Sequence, residues 1–124
     1  ENSWYHFKFS EVLERAKKLD RAEKEAGLAI QNSRKPRAWM FNHRGWIRWS
    51  KKDYTGAIKD WEAASLLKPQ KAYLYAQIAE GYYKMGRWEN AISYYQKAIN
   101  LDPKNKNYQK KYHSLKKKQS AIHP

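Results

Sequence analysis

Residues 54–69 read YTGAIKDWEAASLLKP, and residues 88–103 read WENAISYYQKAINLDP. At an offset of 34 they correspond in seven places. Tyr54, Ala57, Ile58, Trp61, Ala64, Leu67 and Pro69 are followed by Trp88, Ala91, Ile92, Tyr95, Ala98, Leu101 and Pro103. Seven correspondences at one offset mark an internal repeat, whose units bury a continuous core by stacking. Within each copy the apolar places fall three or four residues apart, the period of one helix face. The closing proline disfavours a helical residue before it and ends that helix.

Upstream of each copy lies a second helical segment. In AYLYAQIAEGYYKM (72–85), Leu74, Tyr75, Ile78, Ala79 and Tyr82 recur at helical spacing before Gly86 breaks the run. Each copy is therefore a helical hairpin, and Ala79, Ala91 and Ala98 let helix axes approach closely. A weaker copy precedes them, in which Leu19, Ala22, Ala26 and Ala29 sit 35 residues before Tyr54, Ala57, Trp61 and Ala64. Nothing alternates with period two, so no strands are expected. Residues 104–124 hold seven lysines and no acid, half of the net charge of +14. Tyr108, Tyr112, Leu115 and Ile122 share one face there, which predicts a capping helix with a wettable outside, as a solenoid end requires.

The pattern resembles the tetratricopeptide repeat, a 34-residue helix-turn-helix reading W-x2-L-G-x2-Y, then A-x3-F, then P. In the third copy the matching places are Tyr75, Ile78, Ala79, Tyr82, Ala91, Tyr95 and Pro103. In the second they are Phe41, Arg44, Gly45, Arg48, Ala57, Trp61 and Pro69, and the two arginines depart from the pattern. In the first they are His6, Phe9, Ser10, Leu13, Ala22 and Ala26, with no proline. The resemblance implies an all-α, right-handed superhelix of antiparallel helical hairpins with a C-terminal capping helix. A single domain is expected, divided into a degenerate repeat (4–37), repeats at 38–71 and 72–105, and a cap at 106–120. No Gly or Pro marks a turn between Lys17 and Leu19, so one long helix from Ser10 to Asn32 stands beside the degenerate repeat as a second reading. The family also implies a non-catalytic binding module that holds a peptide or a partner's helix against the first helices of its repeats.

The residues offer no competing chemistry. The histidines, His6, His43, His113 and His123, show no metal-ligand spacing, and no Gly-rich loop follows a strand. Cysteine is absent, so thiolate and disulfide chemistry is excluded. Neither an enzymatic role, a cofactor nor a metal is expected. No apolar run is long enough to span a membrane. The chain begins at Glu1 rather than Met, as it would after removal of a leading segment.

The candidate site comes from AWMFNHRGWIRW (38–49). At about 100° per residue, Trp39, Asn42, Trp46 and Trp49 form one stripe with His43 at its edge, opposite Phe41 and Gly45. The family's register turns Phe41 and Gly45 toward the second helix and the tryptophans toward a groove. Tyr73, Ala76, Gln77, Glu80, Tyr83 and Lys84 hold the corresponding places in the next repeat, and Trp4, Phe7, Lys8 and Glu11 in the first. The expected groove set is thus Trp39, Asn42, His43, Trp46, Trp49, Tyr73, Gln77, Tyr83 and Lys84, with the amides bonding an extended backbone. The same rings could equally be packing between repeats. A family variant grips a chaperone's C-terminal carboxylate through set Lys, Asn and Arg residues. Those places here hold Phe7, Glu11, Asn42, Tyr73 and Gln77; only Asn42 fits, so that mode is rejected.

Two further features remain open. Arg44 and Arg48 either pair with an acid on the facing helix, Asp60 or Glu62, or serve an acidic partner. Lys104, Lys106, Lys110, Lys111, Lys116, Lys117 and Lys118 either solvate the cap or contact nucleic acid or anionic lipid. The expected partner is a protein or peptide, acidic by charge complementarity, with docking as a subunit of a larger assembly a further form of the same role.

Overall fold

The computed structural model describes the backbone of residues 3–122 and the side chains of residues 12–121. The described residues form six helices: α1 (Ser3–Asn32), α2 (Ala38–Ser50), α3 (Tyr54–Leu67), α4 (Ala72–Lys84), α5 (Trp88–Leu101) and α6 (Lys106–Ile122). Each packs chiefly on its neighbours in sequence, the quasi-one-dimensional pattern of a solenoid. The two repeats are the hairpins α2–α3 and α4–α5, and α6 closes the stack.

The turn inside each hairpin is the same structure built twice. Lys52 and Gly86, 34 residues apart, both lie in the left-handed region, at φ 66° and 75°. In one, the amide of Lys52 donates to Trp49 O (2.9 Å) and that of Asp53 to Arg48 O (2.8 Å). In the other, Gly86 donates to Tyr83 O (3.0 Å) and Arg87 to Tyr82 O (2.9 Å). These paired bonds satisfy the last carbonyls of the helix in a Schellman turn, whose left-handed place favours glycine. Lysine there carries a steric penalty of about 1–2 kcal/mol. Lys52→Gly relieves it at the expense of added freedom in the unfolded chain, about 0.4–1 kcal/mol. The expected result is a net gain of about 0.5–1 kcal/mol, read as a higher midpoint in urea unfolding.

The first repeat is not a hairpin. Residues 3–32 run as one helix, the second of the two readings left open by the sequence. Nothing between Lys17 and Leu19 can reverse the chain, and Gly27 is absorbed within the helix. The C-terminal half of α1 packs on α2 as α3 packs on α4, which is why only that half carries the repeat's alanines. Leu13 and Val12 lie exposed on α1. The first-copy places His6, Phe9 and Ser10, and the groove places Trp4, Phe7, Lys8 and Glu11, lie outside the described side chains, as do Ile122 and His123.

The core repeats with the sequence. One cluster gathers Ala57, Ile58, Trp61, Ala64, Leu74 and Ile78, with Phe41 and Trp49 packed against it. The next gathers Ala76, Ala79, Ala91, Tyr95, Ala98 and Leu115, with Tyr108 and Tyr112 against it. Leu115 is the cap's buried anchor, so the apolar stripe of α6 covers the last hairpin as expected. Gly45 is what brings α2 onto α3: a Cβ there would lie 2.5 Å from Nε1 of Trp61.

Arg44 and Arg48 face buried Asp60 of α3. Arg44 Nε donates to Asp60 Oδ2 at 3.0 Å and Nη2 to Oδ1 at 2.8 Å, a two-armed grip, while Arg48 Nη1 reaches Oδ2 at 3.2 Å. Glu62, the other acid considered, is not the partner. Arg48 Nε also donates to Glu23 of α1 (2.9 Å), and Lys51 binds both Glu23 and Asp20 at 2.6 Å. Arg44 and Arg48 of α2 and Lys51 just after it are thus matched by three carboxylates, one from α3 and two from α1. These ion pairs add to the half-buried Leu19, Ala22, Ala26 and Ile30 of α1.

Bonds from Lys51 and Arg48 hold the Glu23 carboxyl below its ordinary value of 4.5. A carboxylate depressed in the folded state adds stability above its unfolded pKa and loses it as pH falls through the folded value. Glu23→Gln should therefore lower the unfolding midpoint at pH 6, and the gap from wild type should close below about pH 4.5. Urea melts at both pH values, followed by helical circular dichroism, provide the measurement.

Candidate partner-binding groove

A cavity of about 320 Å³ opens on the face shared by α2, α4 and α6. Trp46 and Trp49 of α2 form one wall, and Tyr73, Ala76, Gln77 and Glu80 of α4 the middle. Asn107, Tyr108 and Lys111 of α6 form the far wall, and Trp61 and Tyr95 reach it from the second helices. Its lining is mostly apolar with a few polar groups, the usual character of a small binding cleft.

The tryptophans divide their work. Trp61 is fully buried, with Trp46 edge-on at 5.1 Å and Trp49 tilted at 5.7 Å between ring centroids. Trp49 also meets Tyr54 edge-on at 4.9 Å. Trp49 therefore packs against the core and shows only part of its ring. Trp46 rests on Trp61 yet remains 45% exposed, so its position is held by packing while a face stays open. A ring braced in this way contributes contact area with little further loss of freedom, a property of binding hot spots.

Gln77 Nε2 donates to Asn42 Oδ1 at 2.9 Å, across the α2–α4 seam. Among the described residues each amide keeps unused capacity after that bond: the Asn42 NH2 and the Gln77 carbonyl. Glu80 is the one acid of the cavity wall. Burial opposes its ionisation, but bonds from Lys111 (2.8 Å) and the Tyr95 hydroxyl outweigh this and hold its carboxyl below the usual range. Burial and that acceptor push the Tyr95 phenol well up. The acid is internally matched, and the floor of the groove presents no unbalanced charge.

The remaining expected residues fall elsewhere. Tyr83 lines a neighbouring cavity of about 260 Å³ with Lys111, Ser114, Leu115 and Lys118. Lys118 lies over its ring at 5.1 Å and bonds its hydroxyl at 3.1 Å. Trp39, 62% exposed, stands at a separate cavity on the edge of the stack, which shares Tyr73 with the groove. His43 and Lys84 are exposed and line none of these three cavities.

All seven lysines named on the C-terminal segment are exposed. Three are engaged within the chain: Lys111 with Glu80, Lys118 with Tyr83 and Trp88, and Lys116 over Tyr112 at 5.8 Å. Asn107 and Tyr108 are the groove residues that reading α6 only as a cap misses. The signal was present: Asn107 and Lys111 lie 34 residues after Tyr73 and Gln77, so α6 occupies the place of the first helix of a further repeat.

The family model of the tetratricopeptide repeat matches residues 72–105, the hairpin α4–α5. No curated protein matches the chain by sequence. Several solved structures share its fold. The TPR domain of Arabidopsis OM64 superposes with a TM-score of 0.69 at 19% identity, over 86% of this chain and 88% of that one. The TPR2AB domain of yeast Sti1, solved as a complex with pHSP90, gives 0.71 at 20% identity, over 90% of this chain and 45% of that one. PcrH from Pseudomonas aeruginosa, solved with the chaperone-binding region of PopD, gives 0.63 at 19% identity, over 98% and 89%.

Proposed function

Taking the chain as what its repeat and its fold make it, a tetratricopeptide-repeat protein, we propose that it is a non-catalytic interaction module. It would hold an extended peptide or a helix of a partner protein in the α2–α4–α6 groove. The observation that carries the reading is Trp46, braced on buried Trp61 at the mouth of a cleft already formed. Two of the structures of similar fold are complexes, one with pHSP90 and one with the chaperone-binding region of PopD. The groove of this chain lacks the carboxylate-gripping set, so its ligand is read through apolar side chains and backbone amides. Asn42 and Gln77 supply the donor and acceptor for that backbone. The net charge of +14 favours an acidic partner and speeds encounter with it.

A peptide-display selection on the intact chain, counter-selected on Trp46→Ala, tests this directly. Peptides so enriched should bind wild type at least about tenfold more tightly than Trp46→Ala, with both proteins equally helical. Their amide chemical-shift changes should centre on Trp46, Tyr73, Gln77 and Tyr108. The competing reading is electrostatic binding of nucleic acid or anionic membrane by the lysines of α6. It requires shifts confined to residues 104–118 and an affinity for RNA that falls steeply with salt. That pattern, with no peptide recovered, would overturn the groove reading.

A further inference from the structure

A second cavity, of about 460 Å³, lies at the edge of the stack where the chain enters α2 and α4. Its apolar lining includes Pro36 and Ala38 and three larger side chains, Trp39, Leu67 and Tyr73, each close to half exposed or more. Its rim carries Lys35, Arg37, Lys68 and Lys71. No carboxylate lines it, and among the described residues none of the four cations forms an ion pair. This contrasts with the groove, where Glu80 is matched by Lys111, and with Arg44, Arg48 and Lys51, which are matched one for one. Here four positive charges converge on an open apolar hollow and are matched by no carboxylate among the described residues. The first turns of α2 and α4, which both open at this rim, contain no acid either.

We propose that this edge cavity is a second binding site, distinct from the groove, for a short acidic segment of a partner protein carrying one bulky apolar side chain. The apolar residue enters between Trp39, Leu67 and Tyr73, and carboxylates on either side meet the rim cations. Charge complementarity selects the occupant: four cations within one small rim fit two or three flanking carboxylates. The hollow at their centre is the part that a phosphodiester backbone or a lipid headgroup would leave empty. The cavity lies within the size range of small-ligand clefts. Exposed rings of this type, where contact with a partner would cover them, are the residues that dominate binding energies. The site does not depend on the groove being occupied, although Tyr73 borders both.

The test is fluorescence anisotropy on the intact chain with a fluorescein-labelled peptide bearing one phenylalanine between runs of Asp and Glu. A matched peptide with serine in place of phenylalanine serves as control. Wild type should bind the phenylalanine peptide about tenfold or more tightly than the serine peptide. Trp39→Ala should erase that difference, and the pair Lys68→Glu with Lys71→Glu should abolish binding of both peptides. Trp46→Ala, in the groove, should leave affinity unchanged, which separates failure here from failure of the groove reading. Trp39 is largely exposed, so its truncation should leave the helical circular dichroism intact.

Absence of binding by wild type would overturn the proposal, as would equal affinity for the two peptides. An effect of Trp46→Ala without one of Trp39→Ala would move the peptide to the groove. Displacement of the phenylalanine peptide by a single-stranded RNA or by phosphatidylserine vesicles, at lower concentration than by unlabelled peptide, would show a polyanion surface instead.

Discussion

Truncation of Trp61 to alanine should destabilise the domain by about 3–5 kcal/mol, the range for removal of a large buried aromatic side chain. Three features of its site place it in the upper part of that range. The ring is fully buried, so all of its transfer energy is at stake. Trp46 and Trp49 both lean on it, at 5.1 and 5.7 Å, and its loss leaves two further indoles without support. Gly45 lies directly against the ring and has no side chain to move into the gap. Against total stabilities of about 5–15 kcal/mol for single domains, this is a large share. Chemical denaturation with helical circular dichroism measures it, and a loss below about 1.5 kcal/mol would show that the three rings are not a cooperative unit. One cost already exists at this site: Nε1 of Trp61 is buried with no hydrogen-bond partner. Packing therefore holds the indole in place without help from its polar atom.

Replacing Asp60 with alanine should cost about 3 kcal/mol, the lower end of the range for breaking a buried ion pair. The reason is arithmetic of charge. Arg44 has Asp60 as its carboxylate partner, whereas Arg48 retains Glu23. The guanidinium side chains keep 20% and 22% exposure while Asp60 has 3%, so water relieves part of the loss. Desolvation is common to the whole network, so replacing both partners should hurt less than replacing one. The double change Arg44→Met with Asp60→Leu is expected to recover most of the lost stability, because it removes an orphaned charge rather than creating one. If the double variant is as unstable as the sum of its parts, the pair acts through packing and not through charge.

These two sites show how far the chain could be read before its structure. The 34-residue offset predicted both hairpins, and the apolar stripe of residues 104–124 predicted the cap. Each rests on local rules: helical spacing, a glycine that breaks the run and a proline after the second helix. The Arg–Asp60 pairing was also legible, since a guanidinium on a helix's inward face must find an acid within reach. Lys52 was less visible, because lysine does not announce a left-handed turn unless it is aligned with Gly86. The role of α6 in the groove was hidden for a similar reason: its lysine-rich composition draws attention from its register with α4.

The sequence by itself determined the period and the helix faces, because these depend on residues a few places apart. The tertiary structure decided which rings are covered. Trp39, Trp46 and Trp49 share one stripe, yet Trp49 packs on Tyr54 and Trp61, Trp46 stands half open over Trp61, and Trp39 lies at an edge ringed by lysine and arginine. Helical periodicity sets the angle at which a side chain leaves its helix. Whether that direction meets protein or water depends on a neighbouring helix distant in sequence. The same applies to α1, whose continuity is local but whose docking on α2 rests on ion pairs spanning 25 to 31 residues of chain. A single helix carries no record of such contacts, and only the packed stack reveals them.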